Sequence, residues 1–568
     1  MILQSLVELY EALVVQGKLQ GAGWAGVKIS YALDINDDGE VERVSSIKTE
    51  QTRGKNTVLV PQIMTLPAPV KRSTNIASNF LWDSSTYILG VDTKGNPQRS
   101  LECFKACKAL HHEVLDGVAS PTARAVRAFF THWDPEDISE HPAFQECVED
   151  VISGVNLTFR YHGELVCEDT DIRQAWQNHY DVPGDGPEMT CLITGKKGPI
   201  ELVHPAIKGV PGGQSSGTAL VSFNAPSFCS YGHEQGANAP MSKYAAFAYT
   251  SALNYLLADR EHLWQMGNTT VLCWAKSGEE VYQNLFSPLA FGTTLRNDPE
   301  IVDRYGEVQV DPNMEFFILG ISPNAARLSI RFFLHNSFGS FLKNVQNHYD
   351  RMEIIRPSYD TLETVPLWKL LDATVNQNSK DKTPSPIMAG AATRAILNDT
   401  HYPASLLNGI NLRIRADHEV DRIRAGIIKA YYLKNTHPDV PKEVLTVSLN
   451  PASNNPAYVL GRLFSVYEAI QNAANPGIDA TIKDRYFNSA AATPATIFPV
   501  LGNLAQKHLR KLKGANMGLN VFYNKQITEI MGLLGTGFPA RLSLAQQGAF
   551  QLGYYHQTQD RYQKKEEE

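Results

Sequence analysis

Apolar residues recur at helical spacing over residues 1–13, interrupted by Glu8 and Glu11, and predict an amphipathic first helix. Short alternating runs at 26–33, 41–46, 58–60 and 87–91 then predict strands. The cluster Asn36-Asp37-Asp38-Gly39 between the first two reads as a hairpin connection. Helical periodicity takes over at 101–112 and 121–131, and strand patterning returns at 155–161 and 219–223. Tyr244, Phe247, Ala248, Leu253 and Leu256 give a helix over 242–257 packed on the sheet.

Beyond residue 365 the pattern turns helical. Leu367, Leu370, Leu371 and Val375 keep one face, a polar linker ends at Pro384 and Pro386, and Ile423, Ile427, Ile428 and Tyr431 mark another helix. From 444 onward, Val459, Leu463, Val466 and Ile470 form one stripe, and Phe522, Tyr523, Ile527, Ile530 and Leu534 a second. Thr493-Pro494 and Ser543-x-x-Gln546 read as helix starts, the latter a capping box. The expected fold class is α+β, a mixed α/β N-terminal region followed by an all-α C-terminal helical bundle. Its expected divisions are 1–365, a helical connector at 366–443, and a bundle at 444–568.

Composition narrows the class. The 568 residues are 43% hydrophobic and 20% charged, which suits a folded chain of several domains with no membrane-spanning run. The first helix carries no basic leader and reads as part of the fold, not as a secretory signal. Seven scattered cysteines argue against a disulfide framework and for a reducing compartment, so a cytoplasmic location is expected. The net charge of -7 is unusual for a nucleic-acid binder, but screening lets a basic groove act apart from a distant acidic face.

The strongest chemical signal is the turn Val210-Pro-Gly-Gly-Gln-Ser-Ser-Gly-Thr218 entering the run to Asn224. Gly212 and Gly213 remove side chains that would hold a ligand away, while Gln214, Ser215, Ser216 and Asn224 offer two amides and two hydroxyls. Gly213-Gln214-Ser215-Ser216-Gly217 also fits the G-x-S-x-G nucleophile pattern. That elbow needs a strand before the serine and a helix after it, whereas here a strand is expected to follow. The turn also lacks the Lys-Ser/Thr pair of a phosphate-binding P-loop. An ordinary tight turn is the plain alternative.

Cys103, Cys107 and His111 share a helix face, yet one helix rarely closes a tetrahedral site, and no metal is predicted. Lys71, Arg72 and Asn75, after Pro67 and Pro69, suit phosphate and base-edge contact, against a default of solvated surface charge. Lys507, Arg510 and Lys511 share one helix face that could follow a nucleic-acid backbone. An amphipathic helix needs some polar face in any case.

Longer segments carry a resemblance. They are Asn79-Phe-Leu-Trp-Asp83 with Tyr87-Ile-Leu-Gly90, and Gly213-Gln-Ser-Ser-Gly217 continuing to Leu220-Val-Ser-Phe-Asn224. Ser230-Tyr-Gly232 with Glu234-Gln235 and Asn238-Ala-Pro240 follow, then Ala457-Tyr-Val-Leu-Gly-Arg-Leu-Phe464, Ile482-Lys-Asp-Arg-Tyr-Phe487 and Ala492-Thr-Pro-Ala-Thr496. Together these resemble the large subunit of the subtype I-C CRISPR interference complex, a Cascade-class RNA-guided surveillance assembly. The resemblance implies a non-catalytic subunit that recognises the PAM beside the target, helps open the duplex, stabilises the opened strands and supports recruitment of a helicase-nuclease. It implies as partners a CRISPR-RNA-containing complex, backbone subunits, a guide-RNA endonuclease subunit and double-stranded target DNA, and no cofactor. It further implies a fused small-subunit-like bundle, with separate small-subunit copies from an internal start. No methionine lies between Met388 and Met517, so such a start near 444 would need another codon. On this footing Gly212, Gly213, Gln214, Ser215, Ser216 and Asn224 become candidate PAM contacts, Lys71, Arg72 and Asn75 a second loop, and Lys507, Arg510 and Lys511 a strand-binding face. The other readings are a serine-nucleophile hydrolase using Ser215 and a free-standing RNA-binding protein.

Overall fold

In the computed structural model, which describes residues 1–53, 56–70, 76–93, 96–181, 187–291, 310–535 and 537–563, named strands end at Ser337 and helices dominate thereafter. This is the α+β order that the hydrophobic pattern predicts. The chain forms two compact units, one of Leu6–Pro205 with Val221–Ala252, the other of Met1–Ser5, Ala206–Leu220 and Leu253–Glu568.

In the first unit the strands are β1 (Trp24–Ile29), β2 (Tyr31–Ile35), β3 (Val41–Ser46), β4 (Thr49–Arg53), β5 (Asn56–Val60), β6 (Gln62–Pro67), β7 (Trp82–Ser84), β8 (Asn156–Tyr161), β9 (Glu164–Leu165), β10 (Glu188–Thr190) and β11 (Lys197–Pro199). The main sheet runs β3-β2-β8-β7, with β9 added to β8. β2 and β8 are parallel and the remaining pairs antiparallel. The Asn36 turn joins β2 to β3 as expected, its Oδ1 accepting the N–H groups of Asp38 and Glu40. Two local expectations are corrected. The run at 26–33 breaks into β1 and β2, and 87–91 is no strand, because Ser85–Ile88 coils into a short helix whose Ile88 is fully buried. Short apolar runs fit a buried helical turn as well as a strand, and periodicity alone does not separate them.

The segment Asn79–Asp83 is a buried knot. Leu81 takes a left-handed backbone with φ 63°, a conformation that costs a non-glycine residue free energy. Its surroundings hold it there: Leu81 N–H donates to His111 Nε2 at 2.9 Å, Thr158 Oγ1 donates to Leu81 O, and Trp82 Nε1 donates to Pro67 O. His111 Nδ1 lies 2.8 Å from Cys107 O, so the neutral Nδ1–H tautomer satisfies both ring nitrogens. His111, Cys103 and Cys107 therefore serve the core, where His111 also packs 4.3 Å from the Phe130 ring.

The second unit is built on an antiparallel sheet, β12 (Trp264–Met266), β13 (Thr269–Ala275), β14 (Glu315–Asn324) and β15 (Arg327–Ser337), in that order. One face of it meets the helices Glu280–Phe291 and Phe338–Met352 through Phe286, Phe316, Phe338 and Phe341. Further helices complete the core, including the expected Leu367–Asp372 and Arg422–Lys434.

The terminal bundle centres on helix Pro456–Ala474 against helix Leu544–Tyr562. Glycine permits their close approach: a Cβ on Gly461 would sit 1.9 Å from Phe550 O, and one on Gly553 2.1 Å from Tyr458 O. Polar pairs run along the same seam, with Arg462 donating to Gln557 Oε1 and Tyr554 to Glu468 Oε2. The expected capping box at Ser543 forms, its hydroxyl accepting from Gln546 N–H while Gln546 Oε1 accepts from Ser543 N–H. Helix Pro494–Ala515 starts with proline as expected, but the Thr493 hydroxyl bonds back to Ser489 O and caps nothing.

Candidate nucleic-acid interface

The glycine-serine turn belongs to the second unit and hangs on the edge of its sheet. Ile207 and Thr218 exchange backbone hydrogen bonds of 2.8 Å in both directions and close its base. Asn254 braces that base by accepting from Lys208 N–H and donating to Ala206 O. Beyond Thr218, Ala219 N–H donates to Ala326 O and Ala219 O accepts from Leu328 N–H, a parallel bridge to the first residues of β15. The loop is thereby tied by backbone hydrogen bonds to the start of β15.

Within the loop, Gly213 N–H donates to Val210 O and Gly217 N–H to Gln214 O, two successive tight turns. Gly212 and Gly217 have φ of 76° and 106°, which only glycine adopts without strain. Gln214, Ser215 and Ser216 form the exposed tip. Among the described residues, neither their side chains nor their backbone N–H groups make a hydrogen bond. An amide, two hydroxyls and three backbone N–H donors thus stand without a partner on an exposed turn, donors suited to an anion or a base edge.

The expected strand at 219–223 is corrected. After the bridges at Thr218 and Ala219 the chain runs without regular structure to a short 3-10 turn at Pro226–Phe228. Alternation favours a strand only where a neighbouring edge is free to pair, and here one residue finds it. Since neither strand nor helix brackets Ser215, the nucleophile-elbow geometry is absent, and no imidazole bonds its hydroxyl among the described residues.

The edge also supplies groups that the sequence reading missed. The β14-β15 hairpin tip, with exposed Asn324 and Ala325 and half-buried Arg327, lies beside the turn: a Cβ on Gly212 would be 3.5 Å from Pro323 Cγ. The tip lacks the Asn-Gly or Asp-Gly signal that marks tight hairpins, since Ala325 itself takes φ 52°. Arg327 is a cation one bridge from Ala219.

The remaining candidates separate. Asn224 is exposed but falls in the first compact unit. Lys71, Arg72 and Asn75 lie outside the described residues, just after Val70, whose N–H donates to Asn79 Oδ1. Lys507, Arg510 and Lys511 are exposed on helix Pro494–Ala515, spaced at i, i+3 and i+4 on one face. Lys511 Nζ donates to Asn475 Oδ1 at 2.8 Å, and no carboxylate pairs with any of the three among the described residues.

Residues 6–562 match the family described as CRISPR-associated protein (Cas_Csd1). The chain belongs to that family. For a Csd1-family protein the context is a CRISPR system, and membership indicates a Cascade subunit. A search of curated proteins gives no match. Among the described residues of this Csd1-family chain, no helix is long and apolar enough to cross a membrane.

Proposed function

We propose that this subunit reads the PAM with the Gln214-Ser215-Ser216 tip and helps open the duplex beside it, without catalysing a reaction. The observation that carries the reading is a tip with unspent donors, bridged to a sheet edge beside Arg327. Gln214 is suited to a base edge, the serines and backbone N–H groups to base or phosphate, and Gly212 and Gly213 to close approach. Lys71, Arg72 and Asn75 are further DNA contacts in the same reading, as is Asn224. We assign recognition to residues 1–365, connection to 366–443 and lining of the opened strands to 444–568. In the assembled complex, with its guide RNA, backbone subunits, endonuclease subunit and separate small-subunit copies, the occupied surface would then present the helicase-nuclease with open DNA.

Replacing Gln214 and Ser216 together with alanine is expected to weaken binding of PAM-bearing duplex at least about tenfold, the scale of one or two lost base-edge contacts. Assembly of the complex is expected to stay intact. Mobility-shift titrations with and without the PAM check this, and equal binding by variant and parent sinks the reading.

Lys507, Arg510 and Lys511 give a separate expectation. Their triple alanine variant should lower the slope of log affinity against log salt by about 2, as three single-strand phosphate contacts would. Titration at several salt concentrations reads it. An unchanged slope removes that face from the interface.

A further inference from the structure

The glycine-serine turn is held at both of its limbs, and the two holds share one pattern. On the exit limb Ala219 donates its N–H to Ala326 O and accepts from Leu328 N–H, spanning the residues on either side of Arg327. On the entry limb Asn254 Nδ2 donates to Ala206 O at 3.3 Å and Asn254 Oδ1 accepts from Lys208 N–H at 2.8 Å, spanning the residues on either side of Ile207. A side-chain amide there stands in for a neighbouring strand, its donor and acceptor each meeting the backbone group it suits.

The entry limb depends on that one side chain. Ile207 spends its N–H and C=O on Thr218, so the groups of Ala206 and Lys208 face the other way and need a partner of their own. Asn254 reaches them from the helix Lys243–Ala258, whose Leu257 also lies against the limb: a Cβ on Gly209 would be 3.7 Å from Leu257 O. Ile207, Val210 and Thr218 are buried and seat the base of the loop. All of these residues, Asn254 and Leu257 included, belong to the second compact unit.

The tip has no such ties. Gln214, Ser215 and Ser216 are exposed, and Gly212, Gly213 and Gly217 around them have the widest backbone freedom of any residue type. Where the tip points is therefore set by its limbs. A loosened entry limb would have to be ordered anew at each binding event, and that ordering opposes binding.

We propose that Asn254 is the positioning residue of the Gln214-Ser215-Ser216 tip. It acts through the limb 206–208 and not on DNA, so that the donors of the tip arrive already aimed. This rests on the PAM-reading role proposed above and names the residue that sets its geometry. A preformed tip favours only the partner whose groups match it, so losing the brace weakens binding of PAM-bearing duplex and leaves binding of other DNA almost untouched.

The test uses the assembled complex carrying Asn254→Ala or Asn254→Asp, beside the double alanine variant of Gln214 and Ser216. Mobility-shift titrations with PAM-bearing and PAM-free duplex give the ratio of the two affinities, and hydrogen exchange read by mass spectrometry follows the amides of residues 206–220. Asn254→Ala is expected to lower the ratio about tenfold, through the PAM-bearing duplex alone, and to speed exchange at the N–H groups of Ile207 and Thr218. Asn254→Asp keeps the acceptor for Lys208 N–H and loses the donor to Ala206 O, so its ratio should fall between. Were Asn254→Ala not to assemble, the Asn254→Asp ratio decides in the same way. A parent ratio overturns the positioning role, whether or not exchange quickens. Equal loss on both duplexes also overturns it, because a residue that merely supports the fold would act so. If the double alanine variant loses PAM preference while Asn254→Ala keeps it, the positioning role alone falls. A double alanine variant that binds like the parent overturns the PAM-reading role, and the positioning role with it.

Discussion

Replacing Gly461 with alanine is expected to disrupt the seam between helices Pro456–Ala474 and Leu544–Tyr562 and to produce the largest stability loss of any single methyl addition proposed here. The new Cβ would stand 1.9 Å from Phe550 O and 2.8 Å from Tyr554 N, both backbone atoms that no rotamer change can move. Gly553→Ala meets Tyr458 O at 2.1 Å from the opposite side. Each helix must retreat by more than about 1 Å, which separates Arg462 from Gln557 and Tyr554 from Glu468 as well. A loss of at least about 3 kcal/mol is expected, with the melting midpoint lower by about 5–10 °C. Gly514→Ala is the control, because nothing lies within 4 Å of its Cβ position and alanine is the better helix former. Differential scanning calorimetry of the three variants decides it. A Gly461→Ala chain melting with the parent would refute the close approach.

The second large effect is acid lability. His111, His348 and His556 are buried, and burial pulls their pKa values down to about 4, about 3 and about 4 respectively. Their hydrogen bonds explain why charge is excluded. His111 Nε2 accepts from Leu81 N–H. His348 Nδ1 lies 2.7 Å from the Tyr402 hydroxyl and His556 Nδ1 2.8 Å from the Tyr458 hydroxyl, while the Nε2 of each is buried with no hydrogen-bond partner among the described residues. A second proton on His111 would break the bond from Leu81 N–H, and one on His348 or His556 would leave a charged ring with a buried N–H that has no acceptor.

These folded-state values lie below the unfolded value of about 6.5, so between pH 6.5 and 4 the unfolded chain binds protons that the folded chain refuses. Stability is retained above pH 6.5 and falls as pH drops through that window, by about 3 kcal/mol for each histidine on reaching pH 4. Urea midpoints recorded from pH 7.5 to 4.5 should decline steadily below 6.5, and His348→Gln or His556→Gln should each flatten the decline by about one proton. Flat midpoints across the range would show that these rings titrate normally.

How far the sequence made this legible depended on whether a residue's role was local. The Asn36 turn, the Ser543 capping box and the long amphipathic helices are local matters of side-chain bonding and periodicity, and they fold as the pattern predicts. The sheet of the second unit drew no expectation at all. Phe316 to Ser322 is buried on both faces, so the strand lacks the alternation that reveals a half-exposed one. At 219–223 the opposite happened: alternation is present, but a single bridge is all that the sheet edge offers. The candidate turn was legible as glycine and serine chemistry, while Arg327 and the hairpin tip were not, because their proximity is created by a bridge between residues far apart in sequence.

The seam between the two long terminal helices bears on how autonomous that bundle is. A chain beginning at 444 would keep Gly461 against Phe550 and Gly553 against Tyr458. It would lose Tyr432, which lies 2.8 Å from the Cβ position of Gly548, and the Ile355 carbonyl that accepts from buried Tyr555. A free copy would therefore carry a raw flank with an orphaned hydroxyl, adhesive toward any surface offering an apolar ring and a carbonyl. Within the full chain Tyr432 and the Ile355 carbonyl already cover that flank.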